Sequence, residues 1–301
     1  MNKDLLPHFL IVGAPKCGTT SLHYYISQHP DINTSPKEIH FFGNDLQYKT
    51  ARPSLAEYQS HFKLTGLNGD ASVWYLYSNS IFEELRSKGI KPKIIILIRR
   101  PVEVAYSLHS QNIVDANEDV LLFENALALE PDRIKGVNLP KNVDPPRTVL
   151  YQDTANFLPR IKKFQNELGK ENVWVGLQEN LKSNPALFLQ ELEAFLGLTN
   201  FDNYDFTRQN ENKSVKSKKI NKLIKKAGKS QIALFRVIIP FKGLRKKIVD
   251  KIYFGNLQIT NRNKLSKSTK QELQQKFNPG IIQLNKIIEP DISHWIITQN
   301  K

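Results

Sequence analysis

The sequence predicts an α/β fold in which helices flank a central parallel sheet. Two apolar runs, FLIVGA at residues 9–14 and KIIILI at residues 93–98, have the length and the branched side chains of strands buried on both faces. Each run is followed by a stretch with helical periodicity, which opens near Thr19 in one case and at Pro101 in the other. Strands that alternate with helices in this way indicate βαβ units, and therefore a parallel sheet.

The remaining elements continue this alternation. Short strands are predicted at LNGDAS, residues 67–72, and at NVWVGL, residues 172–177. Helices are predicted at residues 19–29, 54–62, 79–89, 101–113, 152–168 and 184–198, and in a tail from residue 277 that turns at Pro290. Residues 131–147 contain four prolines, which predicts a loop near the functional site. No repeat or low-complexity linker divides the chain, so we expect a single domain over residues 1–301.

The composition is that of a soluble globular protein. Hydrophobic residues make up 40% of the chain and charged residues 24%, and both values are ordinary for this class. Cys17 is the single cysteine, which excludes a disulfide framework within the chain and suits a reducing compartment. The first residues do not resemble a signal peptide, and no apolar run approaches the roughly 20 residues that cross a bilayer. We therefore expect a cytoplasmic protein.

Positive charge is concentrated in one segment. The net charge is +14, and residues 213–247 contain 13 Lys and Arg but no Asp or Glu. Four apolar residues recur there at helical spacing, namely Ile220, Leu223, Ile224 and Ala227. We predict a basic helical segment at about 213–250, with three open interpretations: a solvated face, a surface that binds an anionic glycan or phosphates through Lys213 and Lys216, or peripheral contact with a membrane. Charge confined to one patch does not predict a nucleic-acid-binding protein.

The loop after the first strand has the layout of a phosphate-binding loop. Gly13 and Gly18 bracket it and a helix follows, so backbone N–H groups at the helix N-terminus can face an anion. The pattern of nucleotide triphosphatases, G-x-x-x-x-G-K-[ST], requires a lysine directly after the second glycine. Here Thr19 follows Gly18, and the lysine is Lys16, inside the loop. The loop therefore predicts a phosphate-bearing ligand and argues against an ordinary triphosphatase.

Arginines follow the strand at residues 93–98. Arg99 and Arg100 come directly after it, and Ser107 lies eight residues after Arg99, about two helical turns along. Ligands of open parallel sheets bind beyond the carboxyl ends of the strands, so we expect these residues beside the Lys16 loop. Phosphotransferases that use Mg²⁺ often have a carboxylate at the end of such a strand. The arginines instead predict anion binding by cations alone, without a metal.

Four segments resemble the 3′-phosphoadenosine-5′-phosphosulfate (PAPS)-dependent sulfotransferases, especially their heparan-sulfate branch. APKCGTTSL resembles the 5′-phosphosulfate loop of that superfamily, and LIRRPVEVAYS resembles its 3′-phosphate motif. SPKEIHFF is similar to the segment that carries the proposed catalytic glutamate, and the tail LNKIIEPDISHW is similar to the C-terminal ends of bacterial members. The resemblance runs from about residue 8 to residue 295 and implies a P-loop-like sulfotransferase fold.

The resemblance also implies a role for each matching residue. PAPS would be the co-substrate and 3′-phosphoadenosine 5′-phosphate (PAP) the product, with no metal. Residues of the first two motifs would bind this donor, namely Lys16, Cys17, Gly18, Thr19, Thr20, Ser21, Arg99 and Ser107. Lys16 would also stabilise the leaving phosphate, Glu38 would be the catalytic base, and His40 would orient the acceptor or act as the base itself. Asp70, at a predicted strand end, is the alternative base.

Three positions depart from the family pattern. Val104 stands where the 3′-phosphate motif often has an arginine, and Arg100 is the candidate to supply that contact. Ala71 stands where many relatives have a lysine, so no second catalytic lysine is carried over from this strand. Gln178 stands where cytosolic members have an adenine-binding tyrosine, so the adenine contacts are not carried over either.

The sequence therefore predicts transfer of a sulfuryl group from PAPS to a hydroxyl or amine of a carbohydrate, lipid or small-metabolite acceptor. The acceptor is expected to be an anionic glycan or a lipid-linked molecule, and Trp74, Tyr75 and Tyr77 either wall its pocket or pack in the core. Two alternatives stay open: a P-loop kinase-like phosphotransferase, and a non-catalytic basic module that binds nucleic acid or a membrane. The position of Lys16 argues against the first alternative.

Overall fold

A parallel sheet is the centre of the fold. The computed structural model of the protein describes residues 5–141, 143–207, 213–215, 239, 241–259 and 265–297. In that part of the chain, the strands of this sheet are β1 (Phe9–Gly13), β2 (Ile32–Thr34), β3 (Leu67–Ala71), β4 (Lys93–Ile98) and β5 (Val173–Leu177). They lie in the order β2-β3-β1-β4-β5, and every neighbouring pair is parallel. The predicted α/β class with a central parallel sheet is confirmed.

Helices connect and flank the strands. Those described are α1 (Thr19–Ile26), α2 (Leu55–Gln59), α3 (Ile81–Ser87), α4 (Pro101–Val114), α5 (Phe123–Ala128), α6 (Glu130–Ile134), α7 (Tyr151–Ala155), α8 (Leu158–Leu168), α9 (Gln178–Ser183), α10 (Pro185–Leu196), α11 (Lys242–Asn256) and α12 (Lys267–Leu284). Both α4 and α10 begin with proline, whose fixed φ suits a first helical position. The side chain of Asn184 caps α10 by accepting the N–H of Leu187 at 3.2 Å.

The middle strands form the buried core of the sheet. β1 is buried at every residue, and β4 is buried at every residue after Lys93. Burial on both faces explains why these two strands are continuous apolar runs and not alternating patterns. Because all five strands are parallel, their carboxyl ends meet at one edge of the sheet. The segments that follow β1, β3, β4 and β5 at this edge are residues 14–18, 72–73, 99–100 and 178–179.

Several elements differ from the predictions. The sequence does not predict β2, because three residues with one buried side chain leave no periodic signal. The helix predicted at residues 152–168 is divided into α7 and α8, and a proline lies in the first turn of α8. The tail helix α12 begins ten residues before the predicted 277, because its first turns are polar. The predicted loop at residues 131–147 includes most of α6.

The chain divides into two compact units. The first lies within residues 1–105, 152–210 and 267–301 and contains the parallel sheet. The second lies within residues 106–151 and 211–266 and contains α5, α6, α11 and an antiparallel pair of strands, β6 (Lys213–Val215) and β7 (Leu257–Ile259). Within the second unit, Glu118 and Arg133 form a fully buried ion pair with N–O distances of 2.6 and 2.9 Å, which ties the segment after α4 to α6. The single domain expected from the sequence stays a prediction.

The basic segment is described only in part. The predicted helix around Ile220 to Ala227, and Lys216 before it, lie outside the described residues. The later part of the segment forms most of α11, so the predicted helical character holds over the range from residue 242 to residue 250. Within the described ranges, no helix combines the length and the apolar character needed to span a membrane.

Candidate active site

The loop between β1 and α1 forms a cradle at the carboxyl edge of the sheet. The N–H of Ala14 donates to Leu97 O at 2.7 Å, which ties the start of the loop to β4. Gly18 has φ 92° and ψ 9°, a left-handed conformation that favours glycine, and it is the N-cap residue of α1. No side chain caps α1 and its first turn contains no acidic residue. The N–H groups at this helix end are therefore suitable donors for a bound anion.

Two cations act on this cradle. The thiol of Cys17 is fully buried inside the loop, and burial raises its pKa to about 12. The positive charges of Arg99 and Lys16 oppose this rise, so both side chains are close enough to influence the same sulfur atom. Cys17 is therefore a packing residue with a neutral thiol, and the anion site beside it has two positive charges from different elements.

The arginines after β4 are already paired with carboxylates. Arg99 donates from Nε to Glu103 Oε2 at 2.7 Å, and its side chain is 27% exposed. Arg100 Nε lies 4.0 Å from Glu179 Oε2. Ser107 is on α4 and is buried, but it belongs to the second unit, so its predicted pairing with Arg99 stays a prediction. An anion at Arg99 would share the guanidinium with Glu103, whose carboxylate is more exposed than Arg99.

Glu38 and His40 lie together after β2. Glu38 N–H donates to Ala71 O at 2.9 Å, and its Oε2 accepts the N–H of Val73 at 3.2 Å. The same Oε2 lies 3.6 Å from His40 Nε2, while Oε1 pairs with the ammonium group of Lys37. The backbone of this segment is left-handed at two residues, since Glu38 and His40 have φ values of 61° and 52°. The left-handed backbone brings the carboxylate and the imidazole to one side.

Asp70 is not accessible in the way that a base requires. Its side chain is buried and accepts three hydrogen bonds of 2.9 Å from the hydroxyls of Tyr58, Ser72 and Tyr75. Burial raises its pKa to about 6, and the three hydroxyl donors oppose that rise. The negative charge of Glu38 also raises the pKa of Asp70, which indicates that the two carboxyl groups are near each other. Asp70 therefore lies behind Glu38, in the interior.

His23 links the Glu38 cluster to the cradle and was not singled out from the sequence. It lies on α1, one turn after Thr19, and its Nε2 is 3.2 Å from Ser35 O. Burial lowers its pKa, and the charges of Lys37 and Glu38 act on it as well. Its position four residues after the first helical residue of α1 is the signal that could have found it. The cradle and Glu38 therefore flank the same helix, α1.

A second cluster of side chains at this edge of the sheet is also not predicted from the sequence. Glu179, in the first turn of α9, accepts Trp295 Nε1 at 3.0 Å and is hydrogen-bonded to His294. The preceding residue, Gln178, approaches the cradle closely, since a Cβ placed on Gly18 would be 3.3 Å from Gln178 Cγ. The C-terminal SHW segment thus docks next to the loop, although it is over 100 residues from α9 in the chain.

The aromatic residues after β3 pack in the core. Tyr75 is fully buried with its hydroxyl on Asp70, and Tyr77 donates to Thr154 O at 2.7 Å. Trp74 is 9% exposed. Of the two roles left open by the sequence, these positions fit core packing. In the described part of the chain, no group of three or more His, Cys, Asp and Glu could hold a metal ion, and the absence of a metal stays a prediction.

Comparisons with known proteins agree with this architecture. Over 222 residues the chain is 26% identical to bifunctional heparan sulfate N-deacetylase/N-sulfotransferase 2 of Bos taurus, covering 68% of this chain and 23% of that protein. It is 33% identical over 115 residues to membrane-associated sulfotransferase kil1 of Dictyostelium discoideum, covering 36% of this chain and 23% of that protein. The chain thus spans less than a quarter of the length of these relatives.

A solved structure and a family match complete the assignment. A crystal structure of a sulfotransferase from Alicyclobacillus acidocaldarius has a TM-score of 0.69 and 23% identity, covering 96% of this chain and 98% of that one. It shares the fold described above. The family described as sulfotransferase domain matches residues 6–283, which include the cradle, both arginines, Glu38 and His40. The chain therefore belongs to the sulfotransferase family, within the superfamily of PAPS-dependent enzymes.

Proposed function

We propose that the protein transfers a sulfuryl group from PAPS to a hydroxyl or amine group of an acceptor. One observation supports this more than any other: α1 has a cationic cradle at its uncapped N-terminus and the Glu38–His40 pair beside its first turns. A reaction that releases an anion at one end and a proton at the other needs these two groups on either side of the transferred sulfur.

The cradle suits the phosphosulfate end of the donor. When the bond between sulfur and the bridging oxygen breaks, negative charge develops on the departing 5′-phosphate of PAP. Lys16 and the backbone N–H groups of residues 17–21 would stabilise this charge more strongly in the transition state than in the bound donor. Because α1 has no capping side chain and no acidic residue in its first turn, nothing on the helix itself competes with the phosphate there.

Arg99 suits the 3′-phosphate that distinguishes PAPS from adenosine phosphosulfate. Its guanidinium is held beside the cradle by Glu103, and a phosphate would form charge-assisted hydrogen bonds with it. Ser107 is proposed as the second contact of this phosphate on the strength of the motif. Val104 stands where the motif often has an arginine, so one contact to the 3′-phosphate would be missing. Arg100, which lies beside Glu179, is the candidate to supply that contact.

Glu38 is the proposed base. As the acceptor oxygen or nitrogen bonds to sulfur, its proton would pass to Glu38 Oε2, while the sulfur–oxygen bond to the phosphate breaks and the electron pair leaves with PAP. His40 Nε2, 3.6 Å from that oxygen, would hold the acceptor group in line. Lys37, paired with Oε1, fixes the orientation of the carboxylate.

A carbohydrate is the acceptor class that we propose first. The support is the similarity to proteins named as heparan sulfate N-sulfotransferases, together with the concentration of Lys and Arg in residues 213–236, which suits an anionic glycan. Lipid-linked and small-metabolite acceptors would be screened in parallel, because acceptor pockets of a fold are built from variable loops.

A binding experiment tests the donor assignment. PAP should raise the Tm of the protein in a concentration-dependent manner, because a ligand that binds only the folded state stabilises it. ATP with Mg²⁺ should raise the Tm much less, and adenosine 5′-phosphate, which lacks the 3′-phosphate, should be intermediate. Equal shifts with all three ligands, or no shift with PAP, would overturn the assignment. Transfer of ³⁵S from labelled PAPS to a panel of glycans, lipids and phenols then identifies the acceptor.

A further inference from the structure

The segment that carries Glu38 rests on a buried carboxylate. Asp70, which is 1% exposed, accepts hydrogen bonds from the hydroxyl groups of Tyr58, Ser72 and Tyr75. A hydroxyl has one proton to donate and two lone pairs that accept. Because each of these hydroxyls gives its proton to Asp70, each oxygen is left as an acceptor that points elsewhere.

Two of these oxygens accept backbone N–H groups of the segment. The N–H of His40 donates to Ser72 Oγ at 3.2 Å, and the N–H of Phe42 donates to Tyr75 Oη at 3.1 Å. The carboxylate of Asp70 is therefore connected to two backbone N–H groups of the loop, each through one bridging hydroxyl. Its negative charge polarises both hydroxyls, which strengthens the bonds that they accept.

The third hydroxyl belongs to a residue that holds the side chain between those two amides. The ring of Tyr58 stacks on the ring of Phe41, with centroids 4.0 Å apart and planes 7° from parallel. Three consecutive residues, 40–42, are thus held by three groups that meet at Asp70. Support of this kind is needed because Glu38 and His40 have positive φ values, which are unfavourable for residues other than glycine.

We propose that Asp70 is a positioning residue, which orients the hydroxyls of Ser72 and Tyr75 so that the Glu38 carboxylate and the His40 imidazole are held at the acceptor side of the cradle. This role rests on the proposed function of Glu38. It depends on the ionised form of Asp70, because a protonated carboxyl would donate to one hydroxyl and turn that hydroxyl's proton toward a loop N–H. With a pKa of about 6, raised by burial, Asp70 is mostly ionised at neutral pH.

Hydrogen exchange tests this role without any assay of activity. In Asp70→Asn, an NH₂ group replaces one of the two carboxylate oxygens that accept the hydroxyl protons. A hydroxyl that faces this NH₂ group can no longer donate to it and turns its proton toward the loop. The N–H that this hydroxyl accepts, that of His40 or that of Phe42, should then exchange about fivefold faster than in the unmodified protein, since one lost hydrogen bond of typical strength corresponds to such a factor. Unchanged exchange at both residues would overturn the role of Asp70, whatever the protein catalyses.

Matched tyrosine variants separate this role from general destabilisation. Tyr75→Phe removes the hydroxyl that joins Phe42 to Asp70, whereas Tyr77→Phe removes another buried tyrosine hydroxyl, which donates to Thr154 O. Both lose a buried hydrogen bond, but only Tyr75→Phe should accelerate exchange at Phe42. Equal exchange at Phe42 in both variants would overturn the proposal, because the Tyr75 hydroxyl would then not hold that N–H.

Kinetics then connect the role to the proposed base. Asp70→Asn should lower kcat by about 10–100-fold with little change in the Kd for PAP, because a displaced base impairs proton uptake and leaves the cradle intact. In a Glu38→Gln background the same change should have almost no further effect on kcat. Additive losses would show that Asp70 acts independently of Glu38. An unmodified protein that binds PAP but transfers no sulfuryl group would instead contradict the proposed function, while the exchange result would stand.

α11, in the second unit, has an exposed apolar stripe. Phe241, directly before the helix, is 72% exposed, and Leu244 and Ile252 are 49% and 46% exposed. At 3.6 residues per turn these three positions fall within an arc of about 80° on one side of the helix. Basic residues flank the stripe in the sequence, since residues 242–251 include five Lys and Arg and one Asp. The arrangement is that of a basic amphipathic helix whose apolar side is exposed.

We infer that α11 binds the surface of an anionic membrane, with the apolar stripe in the interface and the basic residues against lipid headgroups. Charge complementarity favours this occupant over a second copy of the chain, which would bring two basic faces together. Sedimentation of the full chain with phosphatidylcholine vesicles, with and without phosphatidylserine, tests the inference. Binding should require phosphatidylserine and should weaken as salt increases.

Substitution of the stripe completes the test. The triple variant Phe241→Ser, Leu244→Ser and Ile252→Ser should lose at least about tenfold in vesicle affinity. Each of these apolar side chains contributes to binding when it enters the membrane interface. The control, Leu121→Ser with Leu122→Ser, changes two residues of the same unit that are 53% and 63% exposed. Equal losses in both variants, or binding that does not require phosphatidylserine, would overturn the inference. Full binding by the triple variant would show a purely electrostatic contact and would also overturn it.

Discussion

The cradle and the Glu38 segment are built in opposite ways, although both belong to the same site. The cradle is local: β1, the loop with Lys16 and the first turn of α1 are consecutive in the chain. The Glu38 segment is held by residues from distant parts of the sequence, with Tyr58, Asp70, Ser72 and Tyr75 all contributing. Residues that are consecutive in the chain form a motif that can be recognised in the sequence. Residues that only folding brings together form no such motif.

Removal of the proposed base should give the largest effect on turnover. Glu38→Gln keeps the shape of the side chain but cannot take up the acceptor's proton, so kcat should fall by about 10²–10⁴. The Tm shift with PAP should remain, because the cradle does not use Glu38. His40→Ala is the matched comparison and should cost less if His40 only orients the acceptor. A larger loss with His40→Ala would move the base to that residue.

Disruption of the cradle should give the next largest effect. Lys16→Ala removes the cation nearest the leaving phosphate, and kcat should fall by about 10²–10³, the range for one lost transition-state donor. The Kd for PAP should change less than kcat, because the backbone N–H groups at α1 remain. Lys162→Ala, on the exposed side of α8, is the control for the loss of one positive charge. Near-normal turnover in a folded Lys16→Ala variant would contradict the role of the cradle.

Loss of the contact between Arg99 and the 3′-phosphate should weaken donor affinity and leave turnover nearly unchanged. Arg99→Ala removes charge-assisted hydrogen bonds, so the KM for PAPS should rise by about 10–100-fold, while kcat changes little. The variant should also lose most of its preference for PAP over adenosine 5′-phosphate in the Tm assay. Glu103→Gln, which frees Arg99 from its carboxylate partner, should have the opposite effect and tighten PAP binding. Preserved preference in Arg99→Ala would make Arg100 the candidate.

The smallest predicted effect is a pH dependence of stability that originates in Asp70. Burial raises its pKa to about 6 in the folded protein, from an ordinary value near 3.8. The folded state therefore binds a proton more readily than the unfolded state, and this contribution to stability is complete below the unfolded pKa and is lost as pH rises through 6. Between pH 7 and pH 5 the free energy of unfolding should gain about 1 kcal/mol from this group. Denaturant titrations of the unmodified protein and of Asp70→Asn, compared at both pH values, should differ by that gain.

Much of the donor side of this protein is determined by the sequence alone. Buried parallel strands require unbroken apolar runs, so β1 and β4 are recognisable, and chain order places Lys16 and Arg99 at the same edge of the sheet. Only the tertiary structure decides the acceptor side. Left-handed backbone at Glu38 and His40 cannot be inferred from their residue types, because it exists only where surrounding hydrogen bonds compensate its cost. The same holds for Asp70 and for the docking of Trp295 on Glu179, since each depends on contacts between residues that only folding brings together.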